Sequence, residues 1–179
     1  MRMAPDILTV SGQYFSFITP EQSRFGIDDI AHALSHLCRF TGHTNRFYSV
    51  AQHSVLVSQT LPPELAMAGL MHDAAEAFIG DVSRPLKSLI PDYKAIERRI
   101  EAAVFSRFGL PIHIPEEVKV ADIILLATEK RDLMPAHDDL WPVTMDVDAL
   151  EETIYPVQPS VAKFMFLRRF QELSQGGLQ

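Results

Sequence analysis

The stretch "GLMHDAAEAFIGD", residues 69–81, sets His72 directly beside Asp73 in an alanine-rich, apolar run that otherwise reads as core. Read as one helix from about Glu64 to Ile79, stopped by Gly80, it places Leu65, Ala68, His72, Ala75, Glu76 and Ile79 on one face at ~100° per residue, with Asp73 one step round. The small residues Ala66, Ala68, Gly69, Ala74, Ala75 and Ala77 let neighbouring helices approach and leave room for a site. An imidazole and a carboxylate facing the interior are costly to desolvate unless they are paired or hold a metal.

Two further helical patterns carry matching groups. Upstream, "VAQHSVLVSQTL" (50–61), with Ser49 as cap and Pro62 and Pro63 as stop, places His53 in the stripe of Val50, Leu56 and Val57. Downstream, "EEVKVADIILLATEKRDLM" (116–134), opened by Pro115, sets Asp122 on a face with Val118 and Leu125, and Glu129 and Asp132 lie near that face farther along. His53, His72, Asp73 and Asp122 together form a mixed nitrogen and oxygen set suited to a divalent transition metal. Glu76, one turn after His72, is placed to orient an attacking water or take its proton. One inward histidine is ordinarily a satisfied core group; four ligands on inward faces need another explanation.

The remaining pattern predicts a compact all-α single domain with a small N-terminal β-hairpin. Residues 1–26, punctuated by Gly12, Pro20 and Gly26, form an arm with the hairpin around "SGQYFSFIT". Residues 27–134 form the metal-binding helical core, beginning with a helix on Ile27, Ile30, Leu34, Leu37 and Cys38 that ends near Gly42. Asp92 caps a helix on Ile96, Ile100, Val104 and Phe108 that Gly109 closes. Residues 135–159, with four prolines and the only tryptophan, Trp141, make a long loop of lid or interaction type, and 160–179 a C-terminal helix capped by Ser160.

Composition narrows the function classes. With 47% hydrophobic and 22% charged residues the chain is not of the disordered type. A formal charge of −7 argues against a broad nucleic-acid footprint, though a small anion in a local basic pocket is compatible with it. Cys38 is the single cysteine, "MRMAPDILTV" has no apolar leader segment, and no run reaches the ~20 apolar residues of a membrane span. These features predict a soluble, cytoplasmic protein.

The linked phrases "RFTGH" (39–43), "YSVAQHS" (48–54), "HDAAEAFIGDV" (72–82), "RPLK" (84–87) and "VKVADIILLA" (118–127) resemble the HD-domain phosphohydrolase superfamily, most closely its 5′-deoxynucleotidase (YfbR-like) branch with phage and prophage members. The resemblance covers residues 27–134. It implies that His53, His72, Asp73 and Asp122 hold one divalent ion (Co, Mn, Zn or Fe), with magnesium as a candidate second ion. It further implies that Glu76 positions or activates the water, that Asp81 supports the site, and that Arg39 and Lys87 contact phosphate. Phe40 stands where these nucleotidases carry tryptophan and is a candidate for stacking on base or sugar.

The activity so implied is removal of phosphate from a deoxynucleoside 5′-monophosphate. The alternative cut, a deoxynucleoside triphosphate to deoxynucleoside and triphosphate, depends on how many basic groups, with Arg84, Lys87 and Arg131 as candidates, reach past the first phosphate. A different class is a non-catalytic nucleotide-binding regulatory module. The expected partners are a small nucleotide and further copies of the chain, with no nucleic-acid polymer and no membrane. Several residues admit two readings. Glu129, Arg131 and Asp132 reach the pocket or form an ion-pair network; Trp141 closes over a ligand or anchors its loop; His43 lines the pocket mouth or is an ordinary loop histidine. His32 and His36 lie off the apolar stripe of their helix, and His113 and His137 fall in loops.

Overall fold

The chain opens with an antiparallel pair, Asp6–Leu8 (β1) and Tyr14–Ser16 (β2), in the register Ile7 opposite Phe15. The computed structural model describes residues 5–176; the parts of the expected arm at 1–4 and of the C-terminal helix at 177–179 lie outside the described residues. The hairpin turn falls at 9–13, where Gly12 takes φ 77°, so the quoted "SG" is the turn and β1 precedes it. Asp29 ties this hairpin to the helical core: its carboxylate accepts from Ser11 N–H, Ser11 hydroxyl and Gly26 N–H at 3.0, 3.1 and 3.0 Å.

Eight helices follow among the described residues: α1 Ile27–His36, α2 Val50–Thr60, α3 Pro63–Met71, α4 Glu76–Ile79, α5 Arg84–Lys87, α6 Tyr93–Arg107, α7 Glu116–Leu133 and α8 Pro159–Gly176. The all-helical architecture with its small hairpin is as the sequence predicts. α2 is central, packed against α1, α3, α7 and α8. On one side Val50 and Val55 join Phe15, Ile30, Leu34, Leu70, Phe78, Ile100 and Phe166 in the main core. On the other, Val57 packs with Tyr48, Val118, Leu125, Leu133 and Ile154. His53 therefore sits on a helix buried on both flanks.

Four local expectations are corrected. The helix read as 64–79 is interrupted after Met71: Ala74, Ala77 and Phe78 N–H bond three residues back, to Met71, Ala74 and Ala75 carbonyls, a tighter winding than an α-helix. α1 ends at His36, where Leu37 turns extended (φ −79°, ψ 122°) and Cys38 pairs with Ser49 across an isolated bridge. Asp92 sits before α6 in helical backbone geometry and makes no side-chain cap. α8 begins at Pro159, and the Gln158 carbonyl takes its first backbone bonds, so Ser160 lies inside the first turn. Ser49, by contrast, caps α2 by accepting from Gln52 N–H at 3.2 Å. No helix among the described residues is long and apolar enough to cross a membrane.

Candidate metal centre

Close packing of α2 and α3 brings the two histidines together. A Cβ on Gly69 would lie 2.4 Å from Leu61 Cδ1 and 3.3 Å from Ser58 Cα, so a larger residue here would have to push Leu61 aside and press on the α2 backbone. Three residues later His72 Nδ1 donates to the Gly69 carbonyl at 2.8 Å; a carbonyl can only accept, so the proton is on Nδ1. His53, fully buried, donates from Nδ1 to Glu129 Oε1 at 2.6 Å. With both Nδ1 positions committed, the rings turn their Nε2 atoms toward each other at 3.4 Å, where the neutral form of each ring has a lone pair to give.

Two carboxylates complete the convergence. Asp122 Oδ1 lies 3.1 Å from His53 Nε2 and 3.9 Å from His72 Nε2; Asp73 Oδ2 lies 3.1 Å from His72 Nε2 and 3.6 Å from His53 Nε2. His53, His72 and Asp122 alone offer three ligand atoms all within 4.8 Å of one another. Bonds of about 2.0–2.2 Å to one ion hold ligand atoms about 3–4 Å apart, the range of the histidine-to-carboxylate separations above. The donor set therefore fits a divalent transition metal, and the Nδ1 bonds fix each ring for it.

Without a metal, protons meet the same need. Burial and the nearby Arg39 guanidinium work to lower the His53 pKa, but Glu129 and Asp122 outweigh them and raise it to about 9. Burial likewise opposes charge on His72, yet Asp73 raises its pKa. Burial would raise the Asp73 carboxyl, but His72, His53 and Arg39 hold it well below the usual carboxylate range.

Arg39 reaches the group from the turn after α1. Its Nη2 donates to Glu129 Oε2 at 3.0 Å and its Nη1 lies 3.7 Å from Asp73 Oδ2. The structure thus gives Arg39 two carboxylates, and it does not line the cavity described next. Phe40, with its guanidinium neighbour 5.5 Å from the ring, and Thr41 both take φ 54°, a left-handed conformation that non-glycine residues adopt at a cost.

Beside the ligands opens a cavity of about 200 Å³ lined by His72, Asp73, Glu76, Lys87 and Asp122, together with Ala75, Ile79, Glu97, Glu101, Ile114, Val118 and Lys119. Glu76 is 8% exposed, and its Oε2 is buried without a hydrogen-bond partner. Burial, then Asp73 and Asp81, raise its pKa well above the usual carboxylate range. Lys87 Nζ stands 4.0 Å from Glu76 Oε1 and donates to Glu97 Oε1 at 2.6 Å. Asp81 follows α4 and is close enough for its charge to act on Glu76.

The residues left with two readings now separate. Glu129 is fully buried and supports His53 and Arg39. Arg131 and Asp132 hold the long loop instead: Arg131 donates to the Leu150 and Glu152 carbonyls, and Asp132 accepts from Ile154 N–H at 2.8 Å. Trp141 lies 6.1 Å from Phe40, ring to ring, with Lys130 Nζ 5.2 Å from its own ring. His43 and Arg84 are exposed and outside the cavity lining. Glu97, Glu101 and Lys119 were not singled out by the sequence; glutamates four apart beside an apolar stripe ordinarily mark a solvated helix face.

Over 170 residues the chain is 46% identical to the uncharacterized protein YfdR of Escherichia coli K12, covering 94% of this chain and 96% of that one. The chain belongs to the YfdR family. An uncharacterized protein of Rhodobacter capsulatus is 36% identical over 122 residues, 63% of this chain and 62% of its own length. No family model matches the chain. The match to YfdR runs through nearly the whole fold of this family member, ligand-bearing helices and long loop included.

Proposed function

We propose that this YfdR-family protein is a metal-dependent phosphohydrolase of the HD type that removes phosphate from deoxynucleoside 5′-monophosphates. One observation carries the reading: two buried histidines with Nε2 atoms 3.4 Å apart, flanked by Asp73 and Asp122, adjoin a cavity holding an unpartnered Glu76 oxygen and a lysine. A divalent ion at His53, His72, Asp73 and Asp122 would supply Lewis acidity, acidifying a water and polarising a phosphoryl oxygen.

The protein's own groups account for the rest. Glu76 Oε2, with no partner of its own, accepts a proton from the attacking water, and its raised pKa makes it a stronger base than an ordinary carboxylate. Lys87 faces the incoming phosphate as a point charge after release from Glu97. Arg39 holds Asp73 and Glu129, and through Glu129 the ring of His53, in place. Asp81 adds negative charge that keeps the Glu76 pKa high.

The charge supply favours a monophosphate over a triphosphate. Among the described residues only Lys87 and Lys119 line the cavity as cations, while Arg131 is spent on the loop and Arg84 stands outside. The cavity is also smaller than the ~300 Å³ at which pockets for whole drug-sized ligands begin, which suits enclosure of the phosphate end alone. Chromatographic product analysis with metal-loaded protein, separate dNMP and dNTP panels and His72→Ala as control tests the reading. Orthophosphate from dNMPs, lost in His72→Ala, is the expected result. Intact triphosphate from dNTPs would replace it with the triphosphohydrolase, and nucleotide binding without turnover would replace it with a regulatory module.

A further inference from the structure

Lys87 stands on α5 and Glu97 on α6, and both line the cavity, where Lys87 Nζ donates to Glu97 Oε1 at 2.6 Å. The two side chains are 22% and 18% exposed, so water screens this pair far less than it screens an ion pair on the surface. Lys119, the other lysine of the lining, pairs with Glu116 at an exposed site on α7. Lys87 is therefore the cation placed to meet an anion inside the cavity, and Glu97 already occupies it.

Burial works against a charge on Lys87, and the bond to Glu97, with Glu76 behind it, raises its pKa above the ordinary lysine range. Lys87 and Glu97 thus form an ion pair with no net charge to offer. A phosphate that reaches Nζ also comes against the Glu97 carboxylate, and like charges so close repel strongly where water is scarce. Glu76 and Glu101, also in the lining, add to the repulsion. We propose that Glu97 limits how tightly this site holds phosphate, by contending with the anion for Lys87. The anion takes Lys87 on entering, and Glu97 takes it back as the anion leaves.

The exchange matters most for the product. Orthophosphate that met a divalent ion and an unclaimed lysine together would be held by both, and release of a tightly bound product readily sets a turnover rate. Glu97 lies one turn along α6 from Tyr93, whose ring is 5.4 Å from Lys87 Nζ, so the lysine has its acceptor close at hand on the same helix. Rotation of the Lys87 side chain suffices, and no proton or covalent bond changes hands. This inference rests on the phosphohydrolase reading for the identity of the anion.

The test measures orthophosphate affinity by calorimetry on Co²⁺-loaded full-length protein, with no nucleotide present. Glu97→Gln should bind orthophosphate about tenfold more tightly, and Glu97→Asp, which keeps the charge but shortens the reach to Nζ, should fall between it and the wild type. In a Lys87→Met background Glu97→Gln should change the affinity by less than about twofold, because the two residues act through one contact. Glu101→Gln removes the same charge from the lining without touching the bond to Lys87 and should tighten binding by no more than about threefold. An affinity in Glu97→Gln equal to or below the wild type would overturn the proposal, as would tightening that persists in Lys87→Met or is matched by Glu101→Gln. The predicted pattern without dNMP turnover would sink only the phosphohydrolase reading. Turnover of dNMPs with Glu97→Gln and wild type alike in phosphate affinity would sink only this inference.

Discussion

At the residue scale the decisive pair is His53 and Glu129. A 2.6 Å bond from Nδ1 to a fully buried carboxylate fixes the ring and makes Nε2 the better donor to a metal. Glu129→Gln should keep the fold and lower affinity for the first metal by about tenfold to a hundredfold, read by competition with a chromophoric chelator. Protonation gives the second prediction. In the metal-free protein the His53 pKa is raised to about 9, so its contribution to stability is present in full below the unfolded value near 6.5 and is lost as pH rises through about 9. A metal needs the neutral ring, so binding at pH 7 must expel that proton, and affinity should climb with pH up to about 9. Calorimetry in buffers of different ionisation enthalpy should find about one proton or more released per ion at pH 7. Glu76→Gln, in contrast, should retain the first ion and reduce phosphate release by about a hundredfold or more.

At the element scale, the contact of α2 with α3 sets the spacing of the histidines. Gly69→Ala must push Leu61 aside and press on the Ser58 backbone, and should cost about 1–3 kcal/mol in thermal or urea unfolding while weakening the first metal, because His72 moves with α3. The inward faces of His53, His72 and Asp122 were legible because each shares a stripe with small or apolar residues: Val50 and Val57 for His53, Ala75 for His72, Val118 and Leu125 for Asp122. The interruption after Met71 was not: His72 and Ala75 keep helical φ and ψ, and only the hydrogen bonds tighten, a change that composition does not mark. Lys87 was found through the phrase around it, its four-residue helix α5 being too short to show a period. Glu101 escaped notice because its surroundings come from α4 and α7, far off in sequence.

At the scale of the whole molecule, the long loop after α7 is bound to the helical core through a few polar anchors. Gln52, buried on α2, donates to the Tyr155 carbonyl and accepts from Val157 N–H, both at 2.9 Å, while Arg131 and Asp132 hold residues 150–154. Asp132→Ala should therefore expose the loop to limited proteolysis within 145–157 while leaving the first metal affinity unchanged, since none of these anchors touches a ligand. Every step of the proposed reaction depends on the group that α2, α3 and α7 bring together. Its most direct test is a Co²⁺ titration of metal-stripped protein followed by visible absorption, with His53→Ala beside it. Ligand-field bands that saturate with the first equivalent and vanish in a folded His53→Ala protein are the predicted result. A folded wild-type protein showing no such bands, or bands unchanged in His53→Ala, would contradict the account.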